Sequence, residues 1–253
     1  MAVPTTRPIQ SASPKPESRM AIPSQPDAAN MSPADRQAVR SLTILGATGS
    51  IGTSTLEMVS HHPGRFELEA VTAGSNAAAL GQIAKTYNAR RAVIADPGQY
   101  SELKSELAGT QIEAMAGPEA LIEAASVPVD CTMASIVGAA GLPPVFAALK
   151  NGRRIGLANK ECLVCAGDIF MAEAKRQNVE LLPVDSEHSA AFQALDSTDG
   201  ATIDRITLTA SGGPFRTWTA DQISSATREQ ALKHPNWSMG AKITIDSASM
   251  MNK

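Results

Sequence analysis

The chain has 253 residues, 43% of them hydrophobic and 19% charged, a globular composition long enough for one sizeable core or two modest ones. Its net charge of -3 and pI of about 5.8 exclude the broad basic field of a nucleic-acid binder, so any anion site must be built locally. Three cysteines do not make a disulfide framework, and the longest low-polarity run, "IVGAAGLPPVFAAL", is too short and too broken by Gly and Pro to span a bilayer.

Residues 1–40 hold seven of the sixteen prolines and neither an aromatic residue nor a leucine. Such a segment buries too little apolar area to offset the entropy of ordering, and it reads as a disordered tail. Glu17, Asp27 and Asp35, with no amphipathic pattern, set it apart from a plastid transit peptide, and no secretory signal is visible. A cytoplasmic protein is the expectation.

From Ser41 the texture changes. "LTIL" reads as a strand, and strand-like and helix-like segments then alternate through "FELEAVTA", "NAAALGQIAKTY", "RAVIA", "PGQYSELKSELA", "VDCTM", "LPPVFAALKNG", "RIGLAN", "CLVCAGDIFMAEAKRQ" and "VELLPV". A hydrophobic period switching between two and 3.6 implies βα units and a parallel sheet covered by helices. The fold class expected is α/β: a Rossmann-like dinucleotide-binding domain over 41–185, then a smaller α/β unit over 186–253. In that second unit "AAFQALD" and "TADQISSATREQALKH" read as helical. "IDRITLTAS" and Lys242–Asp246 read as strands.

The first chemistry lies in "LTILGATGSIGTSTLEMV", where Gly46, Gly49 and Gly52 sit between a strand and a helix. The first glycine permits the tight turn, the second lets a pyrophosphate approach the backbone, and the third lets the helix pack close. The helix N-terminus adds free N–H groups and a partial positive charge, and Thr48 and Ser50 add hydroxyls. The spacing is a variant of the usual fingerprint, and a plain βα turn has the same look. Where NAD sites place a ribose-binding acid, this chain has the neutral Gly74, Ser75 and Asn76, which favours NADP.

In "ELLPVDSEHSAAF", read as extended, Asp185 and Glu187 share one side and Ser186 and His188 the other. Two carboxylates at a strand's C-terminal end suit Mg2+ or Mn2+. The same residues also fit a simple helix start, with Asp185 as cap. "GLANKECLV" puts Asn159, Lys160 and Glu161 between a strand and a helix, with Cys162 and Cys165 on that helix's buried face. In "LTASGGPFR" a Ser-Gly-Gly turn at Ser211 exposes N–H groups and a hydroxyl suited to an anion.

Together these segments resemble the 1-deoxy-D-xylulose 5-phosphate reductoisomerase family, from about Leu42 to Lys253. The resemblance rests on "LGATGSIGTSTL", "ASIVGAAGL", "LANKECLV", "LLPVDSEHSAAFQ", "SGGPFR" and "HPNWSMGAKITIDSASMMNK", in that order. It implies an NADPH-dependent enzyme using Mn2+ or Mg2+, with Co2+ a third candidate. The substrate is a sugar phosphate, rearranged and reduced to 2-C-methyl-D-erythritol 4-phosphate. Neither nucleic acid nor membrane is a partner, and the full-length family implies a homodimer. By position, Thr48, Gly49, Ser50, Ile51, Gly74, Ser75, Asn76, Asn159, Glu161 and Gly240 would contact the cofactor, and Asp185 and Glu187 the metal. Lys160 and Ser186 would meet the substrate backbone, and Ser211, Ser247, Asn252 and Lys253 its phosphate. His234, with Trp237, belongs to a lid-like "HPNWSMG", and Lys160 and His234 are the candidate catalytic residues. Ser75 departs from members that carry Lys there.

Two other readings stand beside this one. A dehydrogenase of the semialdehyde type needs a nucleophilic cysteine, and Cys131, Cys162 and Cys165 all lie in apolar segments. A non-catalytic NADP-binding fragment is the other. The family's motif continues N-K-G-L-E, and the resemblance makes that Glu the third protein ligand of the metal, beyond Lys253. The family's C-terminal helical domain is likewise absent from these residues. The expectation is a fragment with weak metal binding and little turnover. A coupled NADPH-oxidation assay giving near-normal turnover with the 253-residue chain would overturn it.

Overall fold

A computed structural model describes residues 38–195, 202–207, 209–238 and 240–250. Most of the expected tail and two of the expected phosphate contacts, Asn252 and Lys253, lie outside the described residues.

The alternation seen in the sequence is the architecture. The strands are β1 (Arg40–Leu45), β2 (Phe66–Ala73), β3 (Arg91–Ile94), β4 (Glu113–Ala116), β5 (Cys131–Ala134), β6 (Arg154–Leu157) and β7 (Glu180–Pro183). Between and after them run α1 (Ser50–Ser60), α2 (Ala77–Thr86), α3 (Tyr100–Glu106), α4 (Pro118–Ala125), α5 (Leu142–Leu149), α6 (Glu161–Arg176) and α7 (Ser186–Leu195). The strands form one seven-stranded sheet in the order β4-β3-β2-β1-β5-β6-β7, and every neighbouring pair is parallel. The order reverses between β1 and β5, and at such a switch point the loops after the two strands diverge and open a crevice.

Helices cover both faces, which is why the central strands are continuous apolar runs. Along β1, Leu42 and Ile44 pack with Leu56, Val71, Leu80 and Ile94 on one side. Leu45 packs on the other with Val145, Leu149, Ile155 and Phe170. Small aliphatics fill this interior, as the scarcity of aromatics requires.

Past β7 the described residues depart from the expected strand–helix mixture. Residues 203–207 and 209–211 form no strand. The polar stretch after them gives two short helices, α8 (Ala220–Ser224) and α9 (Arg228–Ala231), each opened by a Thr–Gln capping box. Lys242–Asp246 is helical, within α10 (Ala241–Ser249). Short polar β-branched stretches alternate by chance, and here Lys242 and Asp246 are instead ion-paired one helical turn apart. Among the described residues no helix is long and apolar enough to cross a membrane.

Thr43 and Thr132 face each other across β1 and β5, and both hydroxyls are buried without a hydrogen-bond partner. A buried unpaired hydroxyl costs stability that an apolar group of the same shape does not. Thr132→Val is therefore expected to raise unfolding stability by about 1 kcal/mol, read as a higher urea midpoint. A fall of similar size would show that the hydroxyl is satisfied.

Candidate functional site

The turn after β1 builds one wall of a crevice. Gly46 takes φ 90°, and a Cβ on Gly52 would lie 2.3 Å from the Gly46 carbonyl oxygen, so the first turn of α1 closes onto the strand end. The Gly46 N–H donates to Thr72 Oγ1 at 2.9 Å, tying the turn to β2. Gly49 is the N-cap of α1, with no side-chain cap and no acid in the first turn. The first backbone N–H groups of α1 thus meet the crevice with their partial positive charge uncompensated.

The loops after β6 and β7 supply charge. Asn159 is 2% exposed, and its amide donates to the Ile136 and Gly138 carbonyls while its oxygen accepts from the Cys162 N–H at 3.1 Å. It locks the loop after β5 and caps α6, so its side-chain polar groups are spent inside the protein. Lys160 points at Asp185, with Nζ 3.2 Å from Oδ2. His188 Nδ1 lies 2.8 Å from the other oxygen of Asp185. Burial opposes ionisation of Asp185, yet the hydrogen bonds from His188 and Lys160 and the lysine's charge outweigh it and hold the carboxyl down at about 2.

Of the two geometries that fit 185–188, an extended edge and a helix start, the helix start is found. α7 starts at Ser186, and the Asp185 carbonyl accepts from the Ser189 N–H at 2.8 Å. Asp185 occupies the cap position, Glu187 sits in the first turn and His188 reaches back to Asp185. Both carboxylates nonetheless line the crevice.

The opposite wall comes from the Ser211 turn and α10. Ser211 Oγ lies 3.0 Å from His234 Nε2 and 3.2 Å from Ser247 Oγ. His234 Nδ1 accepts from the Asn236 and Trp237 N–H groups, so the neutral ring carries its proton on Nε2 and donates to Ser211. The Trp237 indole stacks on His234, with centroids 4.8 Å apart, and is 58% exposed. A Cβ on Gly213 would lie 2.5 Å from the Ser247 carbonyl oxygen, and this close approach holds the turn on α10.

These walls enclose a cleft of about 680 Å³. Of the candidate residues it is lined by Gly49, Ser50, Ile51, Asn159, Lys160, Glu161, Asp185, Ser186, Glu187, Ser211 and Ser247. Thr48 and Gly74–Asn76 are exposed beside it at the ends of β1 and β2, where the Asn76 side chain caps α2. His234 bonds Ser211 and is not among the cleft's lining residues, and Gly240 is the N-cap of α10.

Lys242 and Asp246 line the cleft and were not singled out by the sequence. Their spacing of four is the helical signal that would have found them. Glu161, expected to face a cofactor, carries an ion pair with Lys242 at 2.7 Å. Burial tends to raise its pKa, but the hydrogen bond and charge of Lys242 prevail and hold it below the ordinary range.

The cysteines do not form a nucleophile site. Burial pushes the Cys162 thiol up to about 11 and raises that of Cys131. Cys165, expected on the buried face of α6, is exposed.

Two models of the 1-deoxy-D-xylulose 5-phosphate reductoisomerase family match the chain, one over residues 42–167 and its C-terminal domain over 181–253. A reductoisomerase of Nitrobacter hamburgensis is 58% identical over 215 residues, covering 85% of this chain and 53% of the relative. One from Rhodopseudomonas palustris is 56% identical over the same span. Among solved structures, the reductoisomerase from Zymomonas mobilis in complex with NADPH superposes with a TM-score of 0.78 at 47% identity, covering 85% of this chain and 55% of that one. A reductoisomerase in complex with NADPH, fosmidomycin and magnesium gives the same TM-score at 43% identity. The chain spans about half the length of the curated relatives it matches. Matched by the family's models over residues 42–167 and 181–253, this chain belongs to the 1-deoxy-D-xylulose 5-phosphate reductoisomerase family.

Proposed function

We propose that the protein takes part in the NADPH- and divalent-metal-dependent conversion of 1-deoxy-D-xylulose 5-phosphate to 2-C-methyl-D-erythritol 4-phosphate. The observation that carries this reading is the meeting, in one cleft, of an uncapped helix N-terminus, two carboxylates and a hydroxyl cluster. The catalysed step is then cytoplasmic, and the active assembly is a homodimer. Residues 41–185 serve as the NADPH-binding part and 186–253 as the catalytic and connective part.

The donor groups fit their ligands. Asp185 stays ionised at any ordinary pH and Glu187 stands two residues away, an all-oxygen set suited to Mg2+ or Mn2+, which keep open positions for substrate oxygens. A Cβ on Gly74 would meet nothing within 4 Å, leaving room at the end of β2 for a ribose and its phosphate. With both groups bound, the metal supplies Lewis-acid polarisation of a carbonyl and NADPH supplies hydride.

The chain's own residues bind and orient. The α1 N-terminus and Ser50 hold the pyrophosphate, with Thr48, Gly49 and Ile51 shaping the turn, and Gly74, Ser75 and Asn76 border the ribose. Asn159, Glu161 and Gly240 complete the cofactor's surroundings, Asn159 by fixing the backbone. Lys160 exchanges its bond to Asp185 for a substrate oxygen, and Ser186 holds the sugar backbone. Ser211, Ser247 and the Nε2–H of His234 take the substrate phosphate, with Asn252 and Lys253 joining them. Hydrogen bonds to a charged group contribute about 1.5–3 kcal/mol each, enough remote binding energy to position the reacting end. Trp237, exposed on its stack with His234, closes over the site and excludes water from the reacting carbonyl.

The test is product analysis. With NADPH, Mg2+ and the sugar phosphate, any turnover must give the branched polyol phosphate. NADPH oxidation with an unchanged carbon skeleton would overturn the reading. NADPH is expected to bind about tenfold tighter than NADH, because no acid at the end of β2 repels a 2′-phosphate; equal affinities in a fluorescence titration would remove the NADP assignment. Asp185→Asn is expected to weaken Mn2+ binding by at least about tenfold, measured from the free-ion EPR signal. An unchanged signal would place the metal elsewhere.

A further inference from the structure

Three groups of side chains meet along the cleft, and Lys242 stands between two of them. Its Nζ is 2.7 Å from Glu161 Oε1, the first residue of α6, and 2.7 Å from Asp246 Oδ2, one turn along α10. Glu161 follows Lys160, whose amine bonds Asp185. Asp246 precedes Ser247, whose hydroxyl meets Ser211. The ion pair between Glu161 and Lys242 therefore crosses from the carboxylate wall to the hydroxyl wall, between residues 81 apart in the chain. We propose that Lys242 is a positioning residue, a clamp that sets α10, and with it Ser247, against the sheet's C-terminal edge.

The chemistry suits that role. A lysine stem is long and flexible, and its ammonium can satisfy two carboxylates at once. Burial would lower the Lys242 pKa, but hydrogen bonds to Asp246 and Glu161 and both negative charges prevail and raise it, so the clamp is charged at neutral pH. Asp246 aims the side chain from its own helix, and Glu161 receives it on the other wall. The buried faces of Thr244 and Ser247 lie on the same helix, so a displacement of α10 moves the Ser247 hydroxyl.

The consequence for ligand binding rests on the phosphate reading of Ser211 and Ser247 given above. The probe is inorganic phosphate, titrated into the 253-residue chain and followed by tryptophan fluorescence, since Trp237 stacks on the His234 that bonds Ser211. Lys242→Met and Glu161→Gln should each weaken phosphate binding by about three- to fivefold, the range open to a partly exposed ion pair. The double variant should lose no more than either single one, and Lys242→Arg should restore most of the affinity. The Glu161→Gln result carries the sign that matters. A lysine that merely bound the anion itself would bind it better once Glu161 lost its charge. Unchanged or tighter phosphate binding by Glu161→Gln overturns the proposal.

If the unaltered chain binds no phosphate, the phosphate reading fails and amide hydrogen exchange over 241–250 decides the clamp alone. Faster exchange in both single variants supports it, and exchange unchanged in either one overturns it.

Discussion

The approach of Gly52 to the carbonyl of Gly46 is the contact on which the rest of the site depends. It lets α1 begin immediately at the end of the central strand, with no side chain between helix and turn. Because β1 is next to β5, where the strand order reverses, the N-terminus of α1 opens into the crevice and not onto a neighbouring loop. The same region is pinned from both sides. Thr72 holds the Gly46 N–H from β2, and Ser135 donates to the Leu45 carbonyl at 2.6 Å from β5. Positioning is thus done by backbone and small side chains buried in the sheet, and the charged groups need only reach in from loops.

Asn159 plays the equivalent part on the other side of the switch point. It is buried, spends its amide on the loop after β5 and its oxygen on the start of α6, and so fixes where Lys160 and Glu161 emerge. A residue that lines the cleft also governs the residues beside it. The two roles look alike in a sequence, because both require an amide at that place. Only burial and the three internal bonds separate them.

The parallel sheet was legible because covered strands must be apolar throughout and covering helices must be apolar on one face, and those periods survive in "LTIL", "FELEAVTA" and "LGQIAKTY". The glycine turn was legible because close packing admits no other residue at Gly52. The second unit was less so. In "KITIDS" an alternation of polar and β-branched residues mimics a strand, while the pairing that decides the matter, Lys242 with Asp246 and Glu161, is partly long-range. Asp185 and Glu187 meet on one cleft through the helix start and not through the extended edge, the two geometries their sequence allows. A helix start and an extended edge both bring residues 185 and 187 near the strand's end, so the sequence could not separate them. Cys165 was misplaced because residues three apart on a helix sit about 60° from each other, far enough for Cys162 to be buried and Cys165 exposed.

The charge of the cleft explains why its anion sites are made as they are. Two lysines, Lys160 and Lys242, face four carboxylates, Glu161, Asp185, Glu187 and Asp246, a net of -2 when all are ionised. Both lysines are already paired with acids. A phosphate entering such a cleft gains little from the lysines unless they leave their partners. The groups left to receive anions are uncharged: N–H groups at the start of α1 on one wall and serine hydroxyls on the other. These bind an anion without adding positive charge, and a helix N-terminus does so with its dipole already aligned. The surplus negative charge is shared, one unit with Asp185 and Glu187 beside Lys160 and one with Glu161 and Asp246 beside Lys242. Where the sheet's C-terminal edge puts its acids thus decides which groups of the cleft stay open to an anion.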